Sequence, residues 1–280
     1  MTRFVVEDLR NGYVQLASHV LDRGYRVVTR DLVTTELTSV TVEVPEPTGV
    51  MLPIHVNRRV NARLAAVEAL QLLSGTCDGE LLLRASPGYG EVLIRPENVA
   101  YGAYGPRLRH QLDAAYHELR RDPTSRRVVL TIHREDDLTH DGDHPCTLSA
   151  QLLVRRGRLE LIVNMRSWDL WLGVPYDVFM WSQLQRSFAH QLGVDVGRYV
   201  HHTGSLHVYE RDLESVGMLT RCRDDRPAPV DYPLGVVAPA GDLTDVAARL
   251  LTGDVEAHEA VANPWYVRQL AALGVSGRTT

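Results

Sequence analysis

The chain of 280 residues is 44% hydrophobic and 23% charged, an ordinary globular composition, long enough for one large domain or two small ones with a substantial core. Its formal net charge of −5 argues against a nucleic-acid-coating surface. No apolar run suits a bilayer and Met1-Thr2-Arg3-Phe4 opens no secretory segment, so a cytoplasmic protein without membrane partners is expected.

Three cysteines, Cys77, Cys146 and Cys222, stand far apart in no CxxC or zinc spacing. They read as reduced thiols, one of which can serve as a nucleophile, although a lone cysteine is more often an inert core residue. There is no lysine, so every fixed cation is an arginine. This fits coding bias in a GC-rich genome, and any phosphate must then be met by guanidinium groups, which bind bidentately.

In chain order, residues 6–22 repeat apolar positions at helical spacing (Leu9, Tyr13, Leu16, Val20) and predict an amphipathic helix. Thr34 to Val44 alternates and is β-branched, a strand closed by Pro45 and Pro47. Arg58 to Leu73 reads as a helix ending before Ser74-Gly75. Residues 84–105, rich in Gly, Pro and Tyr, read as loops and short strands, and Pro106 to Arg121 as a helix with Pro106 in its first turn. A turn at Asp122-Pro123-Thr124-Ser125 leads into a strand from Arg126 to His133, then a polar loop to Pro145. Leu148 to Val154 and Leu159 to Met165, joined by Arg155-Arg156-Gly157-Arg158, give a hairpin signal. Val174 to Leu192 is a long helix, Tyr199 to Tyr209 a strand, and helices follow near 243–252 and 255–273. Strands in mixed connection with helices between them, and no linker, predict one α+β domain over residues 1–280.

Four short words occur in order: Asp-Pro-Thr-Ser-Arg-Arg before a strand (122–127), Pro-Cys opening a hairpin (145–146), Arg-Ser-x-Asp-x-x-Leu-Gly-x-Pro before a helix (166–175), and His-x-Tyr ending a strand (207–209). Together they resemble the thymidylate synthase superfamily, over roughly residues 20–215. The C-terminal 65 residues or so carry no such likeness. The resemblance implies a thymidylate synthase-like fold with a large mixed sheet flanked by helices, 5,10-methylenetetrahydrofolate as co-substrate, and no metal. It also implies a homodimer in which Arg126 and Arg127 reach across the interface to the partner's nucleotide phosphate.

By the same resemblance Cys146 is the nucleophile that adds to C6 of a pyrimidine, making C5 nucleophilic toward a one-carbon electrophile. A free thiol is only partly ionised at neutral pH, and Arg166 is the family's cation beside that sulfur. Arg166, Ser167 and Arg30 complete the phosphate cradle. Glu68 matches the glutamate that organises water and protons near the ring, and Tyr104 the tyrosine that assists proton removal at C5. His207 and Tyr209 match the pair holding the sugar 3′-hydroxyl, and their spacing puts both on one strand face. Asp169, Leu172 and Gly173 match the surface where the pterin docks. Read without the family, Arg126-Arg127 and Arg30 are surface arginines on turns and Glu68 is a solvated helix residue.

Position 177 departs from the thymidylate enzymes, which carry Asn there; the deoxycytidylate hydroxymethylases of the superfamily carry Asp. Cytosine offers an N4 amino donor and an unprotonated N3, so a carboxyl group can accept from N4 and share a proton with N3. Against uracil O4 a carboxylate sets acceptor against acceptor. The plain alternative is that Asp177 caps the helix after Pro175. Thr147, Met165 and Ser205 also replace the family's His, Gln and Asp. No Trp-x-x-Trp pair precedes Tyr104, and the end Val275-Ser276-Gly277-Arg278-Thr279-Thr280 lacks an apolar closing tail. A site so built admits water to quench the C5 exocyclic methylene, which gives hydroxymethyl rather than methyl.

The expected activity is therefore C5 hydroxymethylation of CMP or dCMP, the sugar being unreadable, in a nucleoside-antibiotic or phage DNA setting. Thymidylate synthase-type methylation of dUMP or UMP and a non-catalytic nucleotide-binding relative remain the alternatives. His201-His202 lacks companion ligands for a metal.

Overall fold

The computed structural model describes residues 2–7, 9–47, 51–52, 55–91, 93–94, 99–141, 143–221, 235–254 and 264–275. Cys222, residues 255–263 of the last expected helix and the terminal residues 276–280 lie outside them. The α+β reading holds.

One sheet carries the molecule. Its strands are β1 (Thr2–Val5), β2 (Tyr25–Thr29), β3 (Leu32–Val44), β6 (Val129–Thr131), β7 (Thr147–Arg155), β8 (Arg158–Asp169) and β9 (Asp195–Tyr209), in the order β1-β3-β9-β8-β7-β6 with β2 paired to β3; β4 (Leu93–Ile94) and β5 (Val99–Ala100) form a separate ribbon. Pairing is mixed: β1 with β3 and β8 with β9 run parallel, the other pairs antiparallel. The β8–β9 register sets Ser167 beside Ser205 and Asp169 beside His207, so two of the motifs meet at the C-terminal ends of two central strands.

The helices are α1 (Leu9–Arg23), α2 (Ala62–Ser74), α3 (Gly79–Ala85), α4 (Tyr104–Arg121), α5 (Val174–Leu192), α6 (Leu213–Arg221), α7 (Leu243–Thr252) and α8 (Pro264–Ala271). Helix α5 starts at Gly173 with Pro175 in its first turn and stops at Gly193, whose φ of 68° only glycine adopts without strain. Along it Val178, Trp181, Leu184 and Phe188 are at most 2% exposed, the apolar stripe that helical periodicity requires. Helix α2 is apolar on most of its surface, as a helix enclosed between others must be; Asn61 caps it by accepting from the Leu64 N–H at 3.2 Å.

Several expectations need correction. The helix expected from Arg58 begins at Ala62, because Arg58 bridges His55 and Asn61 provides the cap. The strand expected over 126–133 shrinks to β6, leaving Arg126 and Arg127 in the segment before it. The polar loop 133–145 contains a 3₁₀ turn, Glu135–Thr139, held by the buried Arg107–Asp137 pair at 2.8 Å. Strand β8 runs on through Asp169, so Arg166 and Ser167 project from a strand rather than a loop. Arg30 sits not before the first strand but in the tight turn between β2 and β3, with φ of 46° there and 63° at Asp31, the geometry that matches a hairpin's twist. Strands β1 and β2 and helices α3 and α6 were not anticipated.

Candidate active site

Cys146 ends the loop entering β7. Its carbonyl accepts from the Arg166 N–H at 2.9 Å, the cross-strand bond that ties the nucleophile's backbone to β8. The Arg166 guanidinium donates through Nε to the Pro145 carbonyl at 3.0 Å and through Nη2 to the His144 carbonyl at 3.0 Å, and Nη2 stands 4.0 Å from Cys146 Sγ. Burial pushes the Cys146 thiol up to about 12; Arg166 opposes the rise, and Asp177, Asp143 and Asp169 add to it. The resting sulfur is thus a protonated thiol with the Arg166 cation beside it.

Tyr104 and Asp177, from two different helices, act on this sulfur or are acted on by it, and Glu68, from a third, is linked to the group through Asp177. Tyr104 opens α4, its hydroxyl accepting from the Thr147 N–H at 3.2 Å, one residue beyond the nucleophile. Burial raises its phenol well above the usual range, and Asp177 and Cys146 add to this. Glu68 is raised to about 8 by burial first and by the Asp177 carboxyl second; Tyr89 donates a hydrogen bond to its Oε1. Glu68 is therefore half-buried among polar partners, not a solvated helix residue. Asp177 is raised to about 7 by burial, with the Trp168 indole N–H opposing and Asp169 adding. It does not cap α5. Gly173 holds that position without any side-chain cap, and Asp177 lies within the first turn, its own N–H bonded to the Gly173 carbonyl at 2.9 Å. The helix-cap explanation of its identity falls away.

Asp169 Oδ1 accepts from the Trp171 and Leu172 N–H groups at 2.7 and 3.0 Å, which fixes the turn into α5. A Cβ at Gly173 would meet the Asp169 carbonyl at 3.0 Å and Asp177 Oδ2 at 3.1 Å, so glycine keeps both groups in place. Asp169 is raised by burial and His207 lowered by burial, each acting against the shift of the other. The rings of His207 and Tyr209 meet edge to face at 5.3 Å, on the shared strand face that their spacing required. Leu172 is 50% exposed in the same turn.

The arginines divide into two groups. Arg166 and Arg30 belong to this site: both oppose the burial-driven rise of Asp143 at its rim, and Arg30 also acts on the Tyr209 phenol. Arg126 and Arg127 are exposed ahead of edge strand β6, and neither is among the groups that shape Cys146 or Asp177. Four neighbours escaped the sequence reading: Tyr89 on Glu68, Asp143 near Arg166, Tyr199, and Trp168, whose Nε1 is buried with no hydrogen-bond partner. None occupies a specified position of the four motifs, Trp168 being the unspecified residue of Arg-Ser-x-Asp. Among the described residues no group of three His, Cys, Asp or Glu is placed to hold a metal ion, and no helix is long and apolar enough to cross a membrane.

The family model for thymidylate synthase matches residues 11–230, and the chain belongs to that family. The thymidylate synthase of Bacillus licheniformis is 35% identical over 119 residues, 42% of each chain, and that of Bacillus phage phi3T 37% identical over 106 residues, 38% of each chain. The chain thus spans about two fifths of the length of the curated relatives it matches. The solved thermostable thymidylate synthase A from Bacillus subtilis superposes with a TM-score of 0.69 at 24% identity, over 79% of this chain and 87% of that one, a likeness of fold.

Proposed function

We propose that this member of the thymidylate synthase family transfers a one-carbon unit to C5 of a pyrimidine nucleotide, with Cys146 as covalent nucleophile and Asp177 as reader of a cytosine edge. The observation that carries the reading is the half-buried thiol of Cys146 beside Arg166, with Tyr104 and Asp177 acting on it and Glu68 joined to them through Asp177. Three proton-bearing groups around a nucleophile suit addition across C5–C6, in which a proton leaves C5 and the thiol proton must also be taken up. Tyr104 stands beside both the nucleophile and Asp177, and Glu68, half protonated near pH 8, can accept or donate a proton through water.

The nucleotide phosphate would be held by Arg166, Ser167 and Arg30, completed by Arg126 and Arg127 from a second copy of the chain, and the sugar by His207 and Tyr209. A reduced folate fits the described turn: an exposed apolar Leu172 lies beside the carboxyl of Asp169, a platform with an acceptor for pterin N–H groups. When bound it supplies the one-carbon unit at the methylene level. Asp177 would meet cytosine either as carboxylate, accepting from N4, or as acid, donating to N3, and a group poised near 7 can do both. The segment before Tyr104 brings a phenol, Tyr89, to Glu68; a hydroxyl-lined approach favours water as the final nucleophile and a hydroxymethyl product.

The relatives at 35–37% identity bear the name thymidylate synthase, which supports methylation of dUMP or UMP as the second reading, and at the level of family it is the better supported. Asp177 is what separates the two. Release of tritium from C5 of labelled CMP, dCMP, UMP and dUMP decides the base and sugar, and product mass decides methyl against hydroxymethyl. Release from dUMP alone rejects the cytosine reading; no release from any of the four rejects C5 chemistry.

A further inference from the structure

We infer that Arg58 is a positioning residue for the turn between β8 and α5: it holds Trp171 by its carbonyl and by its ring, and so presents Leu172 and the Asp169 carboxyl to the reduced folate. The inference rests on the folate docking at that turn and names what stands behind the platform. Arg58 Nη2 donates to the Trp171 carbonyl at 2.8 Å, and the guanidinium carbon lies 4.2 Å from the centroid of the Trp171 ring, within cation–π reach. The other nitrogens face the protein as well: Nη1 donates to the Arg59 carbonyl at 2.9 Å, and Nε is buried. A guanidinium so engaged acts on a ligand through Trp171 rather than by contact.

Both ends of this link are fixed. On one side the Arg58 N–H donates to the His55 carbonyl at 2.9 Å, His55 Nδ1 accepts from the Asn57 N–H at 3.1 Å, and the Asn57 side chain donates to the Met218 carbonyl of α6 at 2.8 Å. His55 itself is 3% exposed. On the turn side, the Leu170 N–H donates to the His207 carbonyl at 2.8 Å and the Leu170 carbonyl accepts from the fully buried Tyr13 hydroxyl at 3.0 Å. The Trp171 and Leu172 N–H groups close on Asp169 Oδ1, and Arg58 supplies the partner for the Trp171 carbonyl. Tyr13 of α1 and Arg58 ahead of α2 thus brace successive peptides of one turn, while Leu172 stands exposed from it. Without Arg58, the peptide joining Trp171 to Leu172 loses its hold from outside the turn, and the Asp169 carboxyl that binds both N–H groups is freed to move with it.

The test uses the full chain and two variants. Arg58→Met keeps an apolar stem over the indole and drops the donor and the charge. Arg58→Lys keeps a charged donor but cannot lie flat on the ring, and it carries the same readings if Arg58→Met does not fold. Amide hydrogen exchange should quicken about tenfold at Trp171 and Leu172 in Arg58→Met, the scale of one lost hydrogen bond, and less in Arg58→Lys. The Leu170 amide, held by β9, should keep its rate. Calorimetry on protein saturated with CMP, or with UMP if that binds tighter, then reads the ligand. Tetrahydrofolate, and tetrahydropteroate that lacks the glutamate carboxylates, should each bind Arg58→Met about tenfold more weakly, with nucleotide affinity within about twofold of wild type. Unchanged exchange at Trp171 and Leu172 overturns the proposal, whatever the ligand does. A loss confined to tetrahydrofolate also overturns it, since Arg58 would then meet the glutamate directly. So does an equal loss of nucleotide affinity, which marks a support of the whole fold, and so does a lowered Tm with folate affinity intact. If wild type binds neither pterin compound while the exchange responds as expected, the folate reading fails and the positioning of the turn stands.

Discussion

Replacing Asp177 by Asn tests the base-reading chemistry most directly. In the folded protein the carboxyl is poised near 7, so at neutral pH about half the molecules carry the acid and half the anion. Asparagine keeps the shape and removes that choice: in the orientation that reads uracil, its NH₂ faces the cytosine N4 amino group donor to donor and its oxygen faces N3 acceptor to acceptor; the flipped amide would pair with cytosine, so the loss expected is that of the uracil-reading orientation. Two unpaired groups at about 1–3 kcal/mol each predict a loss of about 2–6 kcal/mol in transition-state binding of CMP, roughly 30-fold to 10⁴-fold in kcat/KM. The sign reverses for UMP, whose O4 and N3–H match an amide. A second readout follows from the electrostatics. Asp177 is among the groups that raise the Cys146 thiol and Glu68, so its neutral replacement lowers both and speeds alkylation of Cys146 by iodoacetamide at fixed pH. Tritium release at C5 and timed alkylation measure the two effects. CMP turnover within about threefold of wild type, with no gain on UMP, refutes the reasoning, since even one unpaired group costs more than that.

Cys146→Ser removes the nucleophile while keeping its backbone bond to Arg166; C5 exchange should fall at least about 10³-fold while nucleotide affinity by calorimetry stays within a few fold. Arg107→Ala strands Asp137, which is fully buried and bound to Arg107 through both oxygens at 2.8 Å; a loss of about 3–5 kcal/mol should appear as a Tm lower by roughly 6–20 °C. His201 is pushed down to about 3, chiefly by burial, so the unfolded chain takes up a proton below about 6.5 that the folded one refuses. Its contribution is complete above about 6.5 and is lost as pH falls toward 3. His201→Phe, keeping the ring, should flatten urea-derived stability over that range while costing about 1–3 kcal/mol at neutral pH through the orphaned Tyr199 hydroxyl.

How much of this the chain revealed in advance depended on whether the signal was local. The long apolar stripe of α5, with a glycine at each end, was readable almost to the residue, because periodicity and caps act within one element. The pairing of Asp169 with His207 was not readable, because the strand expected to end at Met165 runs on through Asp169 and only the parallel β8–β9 register brings the two together. Likewise, Trp168 lies past the strand expected to end at Met165, at the unspecified position of the Arg-Ser-x-Asp motif. It is registered against Leu206, while His201 is registered against Val163, so the stack that joins them belongs to the curvature of the sheet and no pairing rule predicts it. Tyr89 lies in a Gly- and Pro-rich stretch without period, and its meeting with Glu68 depends on how α3 and the 3₁₀ turn Pro87–Glu91 fold back over α2. Asp177 was noticed for its identity, and only the geometry of Gly173 removed the helix-cap explanation.

Arg166 is anchored at two adjacent carbonyls as well as through its own backbone. Such a guanidinium cannot reach outward for a ligand. On the function proposed above, the nucleotide phosphate must travel to it, and the distance between that fixed plus and the sulfur would then act as a ruler for whatever enters. A nucleoside without its phosphate would have no end point to register against, and a diphosphate would overrun the mark, leaving the ring carbon out of line with the thiol.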